Sequence, residues 1–140
     1  MSDQLVRTII NTKEFGELAF QEYFVKMQCQ PTMLNCRFEG ITDAKLTELG
    51  RGVLEDADLV IICPSNPWVS IDPILGIENV RRIVTEKVAL AVSPIIGGKA
   101  IKGPAAKMYM EMGIIPSALA AAEHYRGLIK GIWLLSSIST

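Results

Sequence analysis

The sequence predicts an α/β fold, a mostly parallel sheet with helices on both faces, Rossmann-like in its alternation. Three observations carry that expectation. Short apolar runs of strand length recur at Val6–Ile10, Met33–Phe38, Leu59–Cys63, Val88–Val92 and Ile132–Leu135. Stretches with helix-start and helix-stop punctuation lie between them. From Thr42 onward the order reads helix, strand, helix, strand, two helices, strand, the alternation that builds a parallel sheet covered by its crossover helices.

Each element has a local reason. Asn11 with Glu14 fits an N-cap and N3 pair, which predicts a helix through Gln28 with Leu18, Tyr23 and Val25 on roughly one side. Thr42 or Asp43 fits the cap of a second helix, ending near Asp56, with Leu46, Leu49, Val53 and Leu54 as its apolar stripe. Pro73 opens a third, with Leu75, Val80 and Ile83 inward. Pro104 suits the first position of a fourth and Gly113 its stop. Ser117 caps a fifth that runs through the alanines to Leu128. The whole of 1–140 reads as one α/β unit, and residues 1–40 as a strand–helix–strand piece appended to it. A doubly wound nucleotide binder carries a glycine-rich phosphate loop after its first strand, and nothing of that form follows Val6–Ile10. The Rossmann-like expectation is therefore of an incomplete fold, without its phosphate-loop half.

Composition excludes several classes of function. The 140 residues are enough for one domain with a core. Fourteen Lys and Arg against 15 Asp and Glu leave a net charge of −1, with no basic excess to hold a nucleic-acid backbone. Uninterrupted apolar runs such as Leu59–Cys63 reach five residues, whereas a bilayer crossing takes about 20. No basic stretch leads into a long apolar one at the start, so a cytoplasmic protein without membrane partners is expected. Cys29, Cys36 and Cys63 lack the close pairing of metal ribbons and redox motifs, and Cys63, at a strand end, reads as a small buried hydrophobe.

Ligands of open α/β sheets gather beyond the carboxyl ends of the strands, and two unusual stretches stand there. Cys63–Leu75 (CPSNPWVSIDPIL) follows the Leu59 strand. Pro64, Pro67 and Pro73 stiffen it, while Ser65, Asn66 and Ser70 offer hydroxyls and an amide to an anion near a helix start. The same residues also suit a rigid turn that satisfies its own backbone, and the two readings stand level. Ser93–Pro104 (SPIIGGKAIKGP) follows the Val88 strand. Gly97 and Gly98 permit close backbone approach and Lys99 and Lys102 add charge, although the order is not that of a P-loop. A glycine-rich hairpin with solvated lysines competes; the strand-end position favours the ligand reading. A third stretch, Phe20–Lys26 (FQEYFVK), offers Gln21, Tyr23 and Phe24 to a planar ligand, but amphipathic packing on the sheet is favoured. His124 is the only histidine and has no carboxylate pair at ligand spacing, which makes it structural or superficial and leaves no expected metal cluster. Asp43, Asp56, Asp58 and Asp72 propose no acid–base pair. Trp68 lies inside the first loop, where packing on a helix is the commoner fate.

Three of these strings together resemble the 2-phospho-L-lactate transferase family. They are FQEYFV, ADLVIICPSNPWVSIDPIL and VSPIIGGKAIKGPAAKM, in the family's order between about Val6 and Leu135. The resemblance implies transfer of a phospholactyl, or in some bacteria phosphoenolpyruvyl, group from a guanosine diphosphate ester to the deazaflavin Fo. The products are F420-0, or its dehydro form, and GMP, and Mg²⁺ is required. It further implies that Ser65, Asn66, Pro67 and Ser70 meet the nucleotide or its phosphates, with Gly97, Gly98, Lys99 and Lys102 near the same charge. Gln21, Tyr23 and Phe24 would then stand on the deazaflavin side. No catalytic residue is assigned. Family members are much longer, beginning with a strand and a Gly-Gly-Thr-Gly loop and carrying an aspartate that helps hold Fo and metal. The match here is to the C-terminal part, which predicts association with an N-terminal half or with a second copy. Two other readings fit the same loops, a nucleotide-binding module without transfer activity and a UDP-sugar-binding regulator of the related fold.

Overall fold

The computed structural model describes residues 1–96, 99–100 and 104–134, with backbone pairing alone for 99–100. Gly97, Gly98 and Lys102 lie outside the described residues, and of Lys99 only its place in a strand is described. The chain opens on an antiparallel hairpin of β1 (Arg7–Thr12) and β2 (Gly16–Ala19), with Ile9 opposite Ala19 and Thr12 opposite Gly16. The hairpin replaces the helix expected across 11–28. Thr12 Oγ1 donates to the Gly16 carbonyl at 2.8 Å and accepts from the Phe15 N–H at 3.1 Å, and Gly16 supplies the left-handed φ of 68° that closes the turn. Glu14 caps nothing nearby. Its carboxylate takes the Thr32 N–H and hydroxyl, both at 2.8 Å.

What remains of that helix is one wide turn, Glu22–Lys26, closed by the Met27 N–H on the Glu22 carbonyl at 2.9 Å. Tyr23 faces the interior and Val25 the solvent. β3 (Met33–Glu39) then pairs with the other side of β1, giving a first sheet in the order β2-β1-β3. Its core gathers Ile10, Leu18, Tyr23, Cys29 and Met33.

α1 (Glu48–Asp56) begins later than expected, because Thr47 rather than Thr42 or Asp43 accepts the capping N–H, from Gly50 at 3.0 Å. Leu46 is buried just before it, but Leu49 and Val53 face solvent, 79% and 66% exposed, so the stripe is narrower than the pattern implied. β4 (Leu59–Ile62) leads through the turn Pro67–Ile71 into α2 (Asp72–Leu75), and α3 (Val80–Glu86) into β5 (Val88–Val92). A short hairpin of β6 (Ile95–Ile96) and β7 (Lys99–Ala100) precedes α4 (Ala105–Glu111). Pro104 and Gly113 stand at the expected ends of α4, Gly113 with φ 75°. α5 (Ala118–His124) starts where Ser117 accepts from the Ala120 N–H at 3.0 Å and stops one turn short of Leu128. β8 (Gly131–Trp133) closes the described chain.

The second sheet is wholly parallel, in the order β4-β5-β8. Leu75, Val80 and Ile83 point inward as expected and pack with Ile62, Ala89, Ala91, Tyr125 and Leu128 on one side of it. Among the described residues the expectation of helices on both faces is met on that side alone. Alternation along a strand sends Leu59, Ile61, Val88 and Trp133 to the opposite side, where they are 45%, 57%, 53% and 69% exposed. Cys63 is likewise exposed rather than buried. No helix among the described residues is long and apolar enough to cross a membrane.

Candidate functional site

The two sheets meet at the turn Pro67–Ile71. Thr8 of β1 donates its hydroxyl to the Val69 carbonyl at 3.2 Å, and Val69 and Met108 of α4 join the core of the antiparallel sheet. Proline explains the rigidity of this junction, since Pro67 at its start is fully buried with φ fixed. A cleft of about 260 Å³ opens beside it. Its lining comes from loops after β4 (Pro64, Ser65, Asn66, Val69, Ser70) and β5 (Pro94), from the start of α4 (Pro104, Ala105, Met108), and from Phe20 and Phe24. The cleft therefore lies at the carboxyl ends of the parallel strands, where the crossing of the chain from strand to helix leaves a crevice.

Phe20 and Phe24 stack on each other, centroids 5.4 Å apart and planes inclined by 21°, and both border the cleft. Ser65 and Ser70, both half-buried, line the same cleft. Asn66 is committed to the fold: its Oδ1 accepts from the Trp68 N–H at 3.1 Å and its Nδ2 lies 3.6 Å from Met108 Sδ. That is the rigid-turn reading of this residue, realised alongside its place in the lining. None of the described lining residues is charged.

The residues expected on the aromatic side divide. Phe24 lines the cleft, Gln21 is exposed and outside the lining, and Tyr23 is wholly buried beneath it. Its hydroxyl has no hydrogen-bond partner, and burial pushes its pKa well above the usual phenol value, so it stays protonated. Met108, Ala105 and Pro94 belong to the lining without having been singled out; Pro94, next to a strand end, carried a signal that position alone would have given.

A second cluster backs the turn. His124 Nε2 lies 2.8 Å from Asp72 Oδ1, and Arg81 reaches the same oxygen at 3.9 Å. The Trp68 ring packs 4.5 Å from His124 and edge-on to Tyr109, also at 4.5 Å, so Trp68 is a packing residue facing away from the cleft. His124 and Asp72 are 52 positions apart, and nothing in the spacing pairs them. Among the described residues no three His, Cys, Asp or Glu side chains converge to hold a metal ion. Mg²⁺ is ordinarily held by one or two carboxylates together with substrate phosphates. The cleft lining supplies hydroxyls and an amide but no carboxylate, so the described residues do not fit Mg²⁺ as its cage.

The family model of the 2-phospho-L-lactate transferase CofD matches residues 1–132. The chain belongs to the CofD family. It is 42% identical over 126 residues to the 2-phospho-L-lactate transferase of Methanococcoides burtonii, covering 90% of this chain and 41% of that one. It is 37% identical over 138 residues to the phosphoenolpyruvate transferase of Thermobifida fusca, covering 96% and 43%. This CofD-family chain thus spans about two fifths of the length of these relatives. Among solved structures it resembles a UPF0052-family protein of Bacillus halodurans, with a TM-score of 0.56 at 12% identity over 92% of this chain and 39% of that one. That likeness concerns the fold.

Proposed function

We propose that this chain supplies the strand-end cleft of a transferase that moves a phospholactyl or phosphoenolpyruvyl group from a guanosine diphosphate ester to the deazaflavin Fo, in coenzyme F420 biosynthesis. The observation that carries the proposal is the convergence of Phe20 and Phe24 with Ser65 and Ser70 on one cleft, in a chain of the CofD family. The stacked Phe20–Phe24 pair offers apolar aromatic surface to a planar ring, and the serine hydroxyls suit phosphate oxygens as donors.

In the reaction a hydroxyl oxygen of Fo attacks the phosphorus next to the acid. A new P–O bond forms, the bond to GMP breaks, and the hydroxyl proton is released. Such chemistry rests on positioning and on hydrogen bonds to the charge on the phosphoryl oxygens, with little covalent work for side chains. Ser65 and Ser70 hold the phosphates, and Asn66 and Pro67 fix the turn that presents them. Mg²⁺, where bound, neutralises phosphate charge; no step here is drawn through it. The reading includes a cytoplasmic setting and association with further CofD polypeptide.

Titration of the chain with GDP and with UDP, followed by calorimetry, tests the binding half of this reading. GDP is expected to bind in preference, and Ser65→Ala with Ser70→Ala to weaken it about tenfold, the worth of one or two hydrogen bonds to charged oxygens. Preference for UDP, or GDP affinity untouched by both changes, rejects the assignment.

A further inference from the structure

Behind the turn Pro67–Ile71, one side chain touches both of its ends. The His124 ring lies 4.5 Å from the ring of Trp68, next to Pro67 at the start of the turn. Its Nε2 lies 2.8 Å from Oδ1 of Asp72, the first residue past the end. A carboxylate oxygen accepts, so Nε2 carries the hydrogen and donates. The Asp72 backbone N–H bonds to the Pro67 carbonyl, so Asp72 closes the turn from within while its side chain ties the turn to α5. His124 stands on a firm base, because Ala121 and Tyr125 of the same segment are buried. Trp68 is gripped from two helices, by His124 of α5 and edge-on by Tyr109 of α4.

The turn has little hold on itself. The N–H groups of Ser70 and Ile71 share one acceptor, the Asn66 carbonyl, at 3.1 and 3.3 Å, in a wide turn of a rare kind that recurs at functional sites. Ser70 lies two residues from Trp68 and two from Asp72, so the His124 contacts flank the residue that lines the cleft. Phenylalanine at 124 would fill the space against Trp68 and leave the half-buried Asp72 carboxylate without its N–H donor. Arg81, half-exposed and 3.9 Å from the same oxygen, is a poor substitute. Trp68, Asp72 and His124 are all absent from the cleft lining.

We infer that His124 and Asp72 are positioning residues for phosphate binding, holding the Pro67–Ile71 turn in the arrangement that presents the Ser70 hydroxyl to the cleft. The inference rests on the reading of Ser65 and Ser70 as phosphate donors and extends it to a pair behind them.

The test uses the full chain with His124→Phe, Asp72→Ala, both together, and Asp72→Asn. Each is followed by amide hydrogen exchange and by calorimetric titration with GDP. His124→Phe and Asp72→Ala are each expected to speed exchange at Ser70 and Ile71 about tenfold and to weaken GDP about tenfold. Exchange at Ala89 and Ala91 of β5 should stay slow; if one variant loses that protection and so the fold, the other carries the test. The double variant should be no weaker than either single one, because both remove the same contact. Asp72→Asn, whose carboxamide oxygen still accepts from Nε2, should bind GDP within about threefold of the parent, a rescue that a general loss of stability would not give. Unmoved exchange at Ser70 and Ile71, unchanged GDP affinity, or additive losses in the double variant overturn the inference and leave the serines in their role. A parent chain that binds no GDP, or binds it indifferently to Ser65→Ala with Ser70→Ala, rejects the phosphate reading itself and this inference with it.

Discussion

Asn66 shows how one side chain serves both the fold and the site. Its carboxamide caps the turn Pro67–Ile71 through the Trp68 N–H while one edge borders the cleft. Asn66→Ala should cost about 1–2 kcal/mol in urea unfolding, the worth of a lost cap, and an unchanged midpoint would show the cap to be idle. Tyr23 behaves oppositely. Its buried hydroxyl bonds to nothing, so Tyr23→Phe should leave stability within about 1 kcal/mol or raise it, and a larger loss would reveal a partner for the hydroxyl. Ser65, Asn66 and Ser70 were legible because proline and strand-end position mark a ligand loop before any contact is known, whereas Phe24 came from the family resemblance, and all four line the cleft. Gln21 and Tyr23, which the family resemblance put on the deazaflavin side, lie outside the cleft lining, Tyr23 in the core as the favoured amphipathic packing implied. The sequence pattern missed the pairing of His124 with Asp72, which only the docking of α5 on the Pro67–Ile71 turn creates.

At the scale of elements, the parallel strands were legible because each is a short apolar run, and β5 begins and ends where the pattern put it. The failure at 11–28 is instructive. Asn11 and Glu14 have the spacing of a capping pair, but Gly16 at positive φ folds the chain back and Glu14 spends its carboxylate on Thr32. That carboxylate, and Glu17 held by Arg37 of β3 across the central strand β1 at 2.8 Å, sit below the usual value of 4.5 because of those hydrogen bonds. Both pKa values are lowered by folding, so their contribution is complete above the unfolded value and is lost as pH falls through the folded ones. Melting of the β2-β1-β3 sheet should therefore be flat near neutrality and decline below about pH 4.5, a decline that Glu14→Gln with Glu17→Gln blunts. Gly40, after β3, has φ 80°, and a Cβ there would run into the Leu5 carbonyl oxygen. Gly40→Ala should cost about 1–3 kcal/mol, with thermal unfolding as the check and an unaltered midpoint as the contrary result.

For the whole molecule, the hydrophobic pattern indicated a parallel sheet with helices on both faces, and among the described residues helices cover one of them. β4 and β5 are apolar at nearly every position, as strands buried on two faces are, and yet one face lies open. A composition suited to burial on both sides, in a chain that spans 41% of its Methanococcoides burtonii relative, agrees with a cleft that works alongside further CofD polypeptide. The decisive measurement is the transfer itself. A hybrid in which this chain replaces the matched 126 residues of the Methanococcoides burtonii protein is given the guanosine diphosphate ester of lactate, Fo and Mg²⁺, and release of GMP with formation of F420-0 is followed by chromatography. Turnover that Ser65→Ala with Ser70→Ala cuts by at least about tenfold is the expected result. A folded hybrid that binds GDP but forms no product, or one indifferent to both serines, would contradict the assignment of this cleft to the transfer.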